Sequence, residues 1–516
     1  MLVYIVSSVI FPGFVGKIID EMNITLDYEN ILMKCFQMLL VGLIVIISNY
    51  YQRVQFATFG QNIAKELKEI IYKKVLTSNA NFWKGYSVGD IIVIIEKDIE
   101  AIELFLSNTV LGIVTNLLLV IGLLSYICYI NWLFGILLVM LAIAFCFIYI
   151  NIGIKAKNCY NKLRALLGQF MSFVNETLNN VLSIQMAGDE STVFEMYKER
   201  NDKVISESIK QYKIIGMTNS TGILYNVISG FIVLVLGTWL SVNREISVGD
   251  VFNLILYTQR IYSPIQTITS HYLEGKKTIV ILKKVVSLLE NNDLMIDGNY
   301  NSTGLRDGNI KFSNVFFAYN TGENIISNMN YSIKKGDIVG VIGRNGSGKS
   351  TLLKLLTKIC NVTQGSISID GINVDDYSIG SLRKIISCLP QKPFFLSGRI
   401  RDIIDPYDNY TDQQIVEICN DFMFDIENLH EGLNTVIGEN SVNLSGGEAQ
   451  KVSFIRLLLE NKQINLLDEP TSDMDIKSEK RICKILPKYL NGKTTIIVTH
   501  RQEILKICNK VYELKR

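Results

Sequence analysis

Over its first 290 residues the chain alternates between long apolar runs and polar stretches. Phe36–Tyr50, Leu104–Ile130, Asn131–Ile154 and Met217–Val242 contain no charge, and Val251–Ser270 carries only Arg260. About 20 helical residues cross a bilayer core, so these runs predict spans. A tight turn at Tyr129–Trp132 joins the third span to the fourth. The opening run, Leu2–Val15, makes only about 21 Å of helix against a core of about 30 Å, and Pro12 adds a predicted kink. Six spans are therefore expected, the first incomplete, with the chain beginning inside it. That run has no basic flank or small-residue cleavage site, so it is not read as a signal peptide.

The polar stretches differ in charge. Arg53, Lys65, Lys68, Lys73, Lys74, Lys84 and Lys97 crowd the connection after the second run, and Lys155 to Lys213 crowd the one after the fourth. The alternate connections hold Lys17 with Asp20, Glu21, Asp27 and Glu29, then no charge, then Arg244. Positive residues stay inside, which puts the long connections and both termini in the cytoplasm. Ile63, Ala64, Leu67, Ile70 and Ile71 keep a helical period beyond the second run, so the helices should continue past the membrane. Asn81–Asp90, with two glycines and aromatics expected on the surface, and Leu178–Glu190, around Gly188, break that period. They read as hairpin tips or, more sharply, docking elements.

Composition narrows the class. The chain is 516 residues long, 48% hydrophobic and 19% charged, with a mean hydropathy of +0.26. That excludes disorder and an ordinary cytosolic enzyme. A net charge of +2 offers no global field for nucleic acid. Nine scattered cysteines with no C-x-x-C pair predict reduced packing residues, not a disulfide frame or zinc site.

After Glu290 the text turns polar and glycine-bearing, a linker over 289–309 between a membrane half (1–288) and a second domain (310–516). From Ile310 short β-rich runs alternate with helical stretches, which predicts an α/β domain with a mostly parallel sheet. Asp337–Ile342 reads as a buried strand, followed by Gly343, Arg344, Asn345, Gly346, Ser347, Gly348, Lys349, Ser350 and a helix from Thr351. Glycines in this strand–loop–helix setting let backbone N–H groups wrap a phosphate. Lys349 is placed to reach outer phosphates and Ser350 to offer oxygen to Mg²⁺. A second strand, Ile464–Leu467, ends in Asp468, a Mg²⁺ ligand candidate, and Glu469, a candidate to polarise water. Leu444, Ser445, Gly446, Gly447 and Glu448 open a further helix and make a second anion site, which suits the nucleotide of another copy.

Read together, these words resemble an ATP-binding cassette (ABC) half-transporter of the exporter type, over essentially the whole chain. GRNGSGKST at 343–351 matches Walker A, LSGGE at 444–448 the signature and NLLDE at 465–469 Walker B. Tyr319 falls where the family stacks adenine, Gln391 in the Q-loop, Ser472–Asp475 in the D-loop and His500 at the switch histidine. GKIID at 16–20, VGD at 248–250 and YSP at 262–264 resemble words of the first and last exporter helices. The resemblance implies an all-α six-helix transmembrane domain followed by an α/β P-loop ATPase domain. It implies ATP and Mg²⁺ (on Ser350, Gln391 and Asp468), Glu469 as general base, and His500 on the γ-phosphate. It also implies a head-to-tail dimer in which Ser445 and Gly447 of one copy complete the site of the other. Export of a lipophilic small molecule, lipid or peptide across the plasma membrane follows; a gated channel or sensor, or an importer, is the alternative on the same frame. Intact Glu469 and His500 point to a homodimer, with a heterodimer as the alternative.

The sequence departs from the family at Asp473, where a small residue is usual, at Glu448, where glutamine is frequent, and at Asn440, where arginine is common. His271 and His430, and Tyr126, Tyr149, Tyr225 and Tyr257, read as interfacial, surface or packing residues. Asn116, Asn219 and Asn226 should face protein or water. Gly112, Gly122 and Gly135 should permit close helix packing.

Overall fold

The computed structural model describes residues 1–24, 28–301, 307–319, 323–344, 346–426, 429–438 and 444–514. Asp27, Asn345, Glu439 and Asn440 lie outside them. The chain divides into two units: Met1–Tyr72 with Gly89–Glu290, and Lys73–Val88 with Asn291–Arg516.

The first unit is helical. It contains α1 (Leu2–Ile24) and α2 (Tyr28–Leu76, whose end passes into the second unit). The short α3 (Phe82–Gly85) belongs to the second unit. Then come α4 (Val88–Val93), α5 (Ile99–Leu104) and α6 (Leu111–Ile130), run together through wide π turns, and α7 (Trp132–Asn179), α8 (Val181–Ala187), α9 (Glu190–Val242) and α10 (Val248–Glu290). Five helical stretches, Leu2–Asn23, Tyr28–Leu76, Val88–Ile130, Trp132–Asn179 and Glu190–Val242, are long and apolar enough to cross a membrane. The apolar run of α10 is diluted by Asn253, Gln259, Arg260 and Gln266. The predicted turn at Asn131 is a helix cap: its side chain accepts from Leu133 N–H at 3.0 Å and Phe134 N–H at 3.4 Å.

The first helix is longer than its apolar run suggests, continuing through Pro12 to Ile24. Proline has no N–H to offer the carbonyl four residues back. That carbonyl, on Ser8, instead accepts from Arg260 Nη1 at 3.1 Å, and the next, on Val9, accepts from Tyr257 Oη at 2.6 Å. The single charge in the last run is therefore a substitute backbone donor. Further along, Gly16 and Gly249 let α1 and α10 touch: a Cβ on Gly249 would stand 2.2 Å from the Gly16 carbonyl. Asp20 accepts from Gly249 N–H at 2.8 Å and Ser247 Oγ at 2.7 Å, so the words GKIID and VGD bind one another. Gly112, Gly122 and Gly135 are close-packing glycines, against His271, Val9 and Cys128. Leu123, Ile127, Phe134, Leu138, Val233, Leu254, Tyr257 and Ile261 form the core of this unit.

Of the two tips, α8 has no buried residue, with Leu182 at 68% and Met186 at 88% exposed, and stops at Gly188 in the left-handed region (φ 71°). The α3 tip bears out the expectation of surface aromatics for Trp83, which is exposed, and corrects it for Phe82. Phe82 is buried, stacked 5.0 Å from Tyr86 and edge-on to Trp83. Ala80 N–H donates to Ile359 O and Asn79 N–H to Asp293 O, both at 3.0 Å. The tip is thus part of the second unit's packing, which local periodicity does not reveal.

In that unit β1 (Ile310–Phe317), β2 (Ile326–Ile333), β4 (Gln364–Ile369) and β5 (Ile372–Asn373) form an antiparallel sheet in the order β2-β1-β4-β5. β3 (Ile338–Ile342), β6 (Ile386–Leu389), β9 (Ile464–Asp468), β10 (Thr494–Val498) and β11 (Lys510–Glu513) form the expected parallel sheet, ordered β11-β3-β10-β9-β6. β7 (Gly398–Arg399) and β8 (Val436–Ile437) pair as a ribbon. The helices are α11 (Lys349–Leu356), α12 (Ile379–Ile385), α13 (Ile400–Ile404), α14 (Asp412–Asp421), α15 (Gly446–Leu459), α16 (Ile476–Leu490) and α17 (Gln502–Leu505). β10 is buried along its whole length, as a strand covered on both faces must be. It aligns Val498 with Val341 of β3 on one side and Asp468 of β9 on the other. Three strand ends, each followed by a polar motif, therefore share one edge.

Candidate nucleotide-binding site

From that edge β3 runs into the glycine loop and α11. Gly346 and Gly348 hold φ of 83° and 92°, where a side chain is strained. Lys349 is buried and its Nζ donates to the carbonyls of Gly343 at 2.8 Å and Arg344 at 3.1 Å, so the ammonium closes the loop on itself. The buried Ser347 Oγ has no partner among the described residues. Thr351 Oγ1 lies 3.2 Å from Tyr319 Oη. The Tyr319 ring is edge-on to Phe317 at 4.8 Å, with Lys84 Nζ 4.1 Å from its centre.

At the end of β9, burial pushes the Asp468 carboxyl above the usual carboxylate range. Hydrogen bonding from Ser350 opposes that rise and the charge of Glu469 adds to it. Among the described residues there is no group of three or more His, Cys, Asp or Glu fit to hold a metal. One carboxylate plus one hydroxyl suits Mg²⁺, which keeps waters and takes phosphate oxygens as its remaining ligands. Glu469 sits in the left-handed region (φ 46°), a strained place for a non-glycine residue. Its N–H is held by Val498 O at 2.8 Å. The side chain, 25% exposed, accepts from Gln391 Nε2 at 3.0 Å, and His500 Nε2 lies 3.5 Å from its other oxygen. Gln391, Glu469 and His500, far apart in sequence, thus meet at one carboxylate.

Leu444–Glu448 is a different group. Ser445 caps α15, its Oγ accepting from Glu448 N–H at 3.3 Å while the Glu448 carboxylate accepts from Ser445 N–H at 2.8 Å. Glu448 is thereby explained as the second half of a capping box. Hydrogen bonds from the Ser445 hydroxyl, at 2.7 Å, and from the Ser445 N–H hold the Glu448 carboxyl below the usual range. Among the described residues no hydrogen bond joins this group to Lys349, Ser350 or Asp468. A Cβ on Gly446 would stand 3.2 Å from an Asp473 carboxylate oxygen, and one on Gly447 3.1 Å from the Asp473 carbonyl.

Two residues escaped the sequence reading. Gln450, fully buried in α15, donates to Ser472 Oγ at 2.7 Å and accepts from Asp473 N–H at 3.1 Å. Arg501 donates to the carbonyls of Ser472 at 2.7 Å and Met474 at 3.1 Å, and pairs with Glu479 at 3.0 Å. Together they clamp the D-loop between the signature helix and the segment after His500. The available signal was a glutamine one turn before Phe454, on the apolar face of α15.

Comparison with known proteins bears on the family and the fold. The ABC transporter transmembrane region family matches residues 2–265, and the ABC transporter family matches 326–472. An uncharacterized ABC transporter ATP-binding protein of Bacillus subtilis is 26% identical over 97% of this chain and 88% of its own length. An ATP-dependent lipid A-core flippase of Legionella pneumophila is 26% identical over 99% and 88%. A multidrug resistance-like ATP-binding protein of Buchnera aphidicola is 27% identical over 95% and 86%. The structure of a bacterial Atm1-family ABC exporter with ATP bound superposes with a TM-score of 0.80 at 21% identity, covering 100% of this chain and 92% of that one, and so shares the fold. The chain belongs to the ABC transporter family, as an exporter-type half-transporter whose transmembrane region and ATPase domain are fused in one polypeptide.

Proposed function

We propose that two copies of this chain close their nucleotide domains head to tail around two ATP molecules, and that hydrolysis drives export of an amphipathic cargo through the helical half. The observation that carries this reading is the meeting of Gln391, Glu469 and His500 at one carboxylate beside the phosphate loop. Glu469 acts as general base toward water, oriented by Gln391 and by its own constrained backbone. Lys349 and the loop N–H groups bind the outer phosphates, His500 the γ-phosphate, and Tyr319 the adenine. Ser350, Asp468 and Gln391 hold Mg²⁺, which when bound offsets phosphate charge.

Among the described residues the side chains of the signature group Ser445–Glu448 bond only within their own cap, and its glycines lie against the D-loop. That favours its reading the nucleotide of the second copy. Intact catalytic groups favour a homodimer, and the exposed α8 is the surface offered to that second copy. α10 serves as the sixth span, the distribution of lysine and arginine favours an ATPase domain in the cytoplasm, and the plasma membrane is the location this reading assigns. The names of the flippase and multidrug relatives favour a lipid or lipophilic cargo.

The test is dimer trapping with the full chain in detergent. Glu469→Gln should form a long-lived closed dimer only with ATP, and adding Lys349→Ala should abolish it. Equal dimer lifetimes with and without ATP would refute the sandwich.

A further inference from the structure

α11 opens at the phosphate loop with Lys349 and is 8 residues long, so its far end lies about 12 Å away. Just past that end Lys358 takes up left-handed backbone (φ 57°), a position after a helix where glycine is usual. Its long side chain is nonetheless only 1% exposed. Nζ donates to the carbonyls of Asp375 at 2.9 Å and Tyr377 at 2.8 Å. Burial lowers its pKa, and the charges of Asp375, Asp297 and Asp376 oppose that. A strained backbone and a buried charge are thus kept for the sake of two carbonyls.

Those carbonyls belong to the turn that holds the segment after α10. The Tyr377 carbonyl also accepts from Gly298 N–H at 3.1 Å, and the Asp376 carbonyl from Tyr300 N–H at 2.8 Å. Ser378 N–H donates to the Tyr300 carbonyl at 2.9 Å, and Ile379 N–H to Asp297 Oδ1 at 2.7 Å. A Cβ on Gly298 would stand 2.2 Å from the Asp376 carbonyl oxygen, so the two backbones are in close contact. The residue after the lysine, Ile359, accepts from Ala80 N–H of the α3 tip at 3.0 Å by its own carbonyl. The chain passes between the two units at Tyr72–Lys73, Val88–Gly89 and Glu290–Asn291. Residues 358–359 therefore bond, directly or through one turn, to the segments that follow the first and last of these crossings.

We propose that Lys358 is a positioning residue that carries ATP binding at the phosphate loop to the segment after α10. A short packed helix and a hydrogen-bond chain can transmit order between two sites. Nucleotide fixes the first turn of α11; the lysine at its other end fixes the Tyr377 carbonyl, and with it Gly298 and Tyr300. The proposal rests on reading the loop as an ATP site, and its route uses neither Gln391 nor His500.

The experiment is hydrogen–deuterium exchange, read by mass spectrometry, on the full chain in detergent carrying Glu469→Gln, with and without ATP and Mg²⁺. ATP should slow exchange over 347–356, and by about tenfold at the amides of Gly298 and Tyr300. Adding Lys358→Met, of similar length but with no donor, should keep the slowing over 347–356. It should also keep any slowing at Ala80, whose bond does not use the lysine side chain, and lose the slowing at Gly298 and Tyr300. Lys358→Arg, which retains donors for both carbonyls, should restore it. With Glu469 intact, Lys358→Met should leave the KM for ATP within about twofold of the wild type.

Slowing over 347–356 with none at Gly298 and Tyr300 overturns the proposal before any change is made at Lys358. An ATP-dependent ratio at those two amides that survives Lys358→Met also overturns it, since a lysine that merely packs the turn would speed exchange equally with and without nucleotide. In both cases the ATP-site reading stands. No slowing over 347–356 overturns that reading and the proposal together.

Discussion

Lys84 lies with its ammonium 4.1 Å from the centre of the Tyr319 ring and donates to the Tyr319 carbonyl at 3.3 Å. Tyr319 in turn touches Thr351, in the first turn of α11. The α3 tip, the tyrosine proposed to stack adenine and the helix after the glycine loop are thus joined in series. A cation–π contact at an exposed site contributes about 0.5–1 kcal/mol. Lys84→Ala should therefore raise the KM for ATP roughly two- to fivefold, and Lys84→Arg should restore it. An unchanged KM in Lys84→Ala would show that the contact plays no part in nucleotide binding.

A second expectation concerns Asp468. Burial raises its pKa, so the ionised form is disfavoured in the fold. As pH rises through the ordinary and then the raised pKa, the folded domain loses stability relative to the unfolded chain. At neutral pH that cost stands until a cation offsets it. Asp468→Asn should accordingly raise the melting temperature without nucleotide while removing the further rise that Mg²⁺ and ATP confer on the wild type. In the wild type, Mg²⁺ affinity should fall on acidification before an ordinary carboxylate would protonate. Titrations of Tm against pH and Mg²⁺ check both.

The Asp473 carboxylate stands against the glycines of the signature, where the nucleotide phosphates of a second copy are expected. Like charges at an exposed seam oppose each other by less than about 1 kcal/mol and are screened by salt. Asp473→Ala should tighten ATP binding to the Glu469→Gln dimer about two- to fivefold at low salt, with the gain shrinking at high salt. A salt-independent change would point to loop packing instead of charge.

Pro12 and Arg260 form a compensating pair, because the proline frees the Ser8 carbonyl that the arginine binds. Arg260→Leu should destabilise the transmembrane unit by about 1–3 kcal/mol by leaving that carbonyl unpaired. Pro12→Ala, which returns the missing N–H, should recover part of the loss. A double-mutant cycle on thermal unfolding measures the coupling; strict additivity would contradict the pairing.

Legibility tracked the range of the interactions involved. The long uncharged runs and the strand–loop–helix of the phosphate site are local patterns, so helices α2, α6, α7 and α9, the parallel sheet and the phosphate loop could be read from the chain alone. The passage of α1 through Pro12 could not, because the donor that replaces the lost hydrogen bond comes from Arg260. Phe82 looked like a surface aromatic because its burial depends on a domain that begins more than 200 residues later. Asp468, Glu469, Gln391 and His500 were legible as candidates, yet their convergence depends on the strand order β10-β9-β6. The D-loop clamp of Gln450 and Arg501 depends on tertiary contacts that no local motif encodes.

Steady-state ATP hydrolysis by the purified full chain in lipid nanodiscs, set beside Glu469→Gln, is the most direct measurement of what this molecule does. The wild type should turn over ATP, and Glu469→Gln should be slower by about 100-fold or more while still binding ATP. Hydrolysis by Glu469→Gln at the wild-type rate, or none by the wild type, would contradict the catalytic role given to the carboxylate that Gln391 and His500 surround.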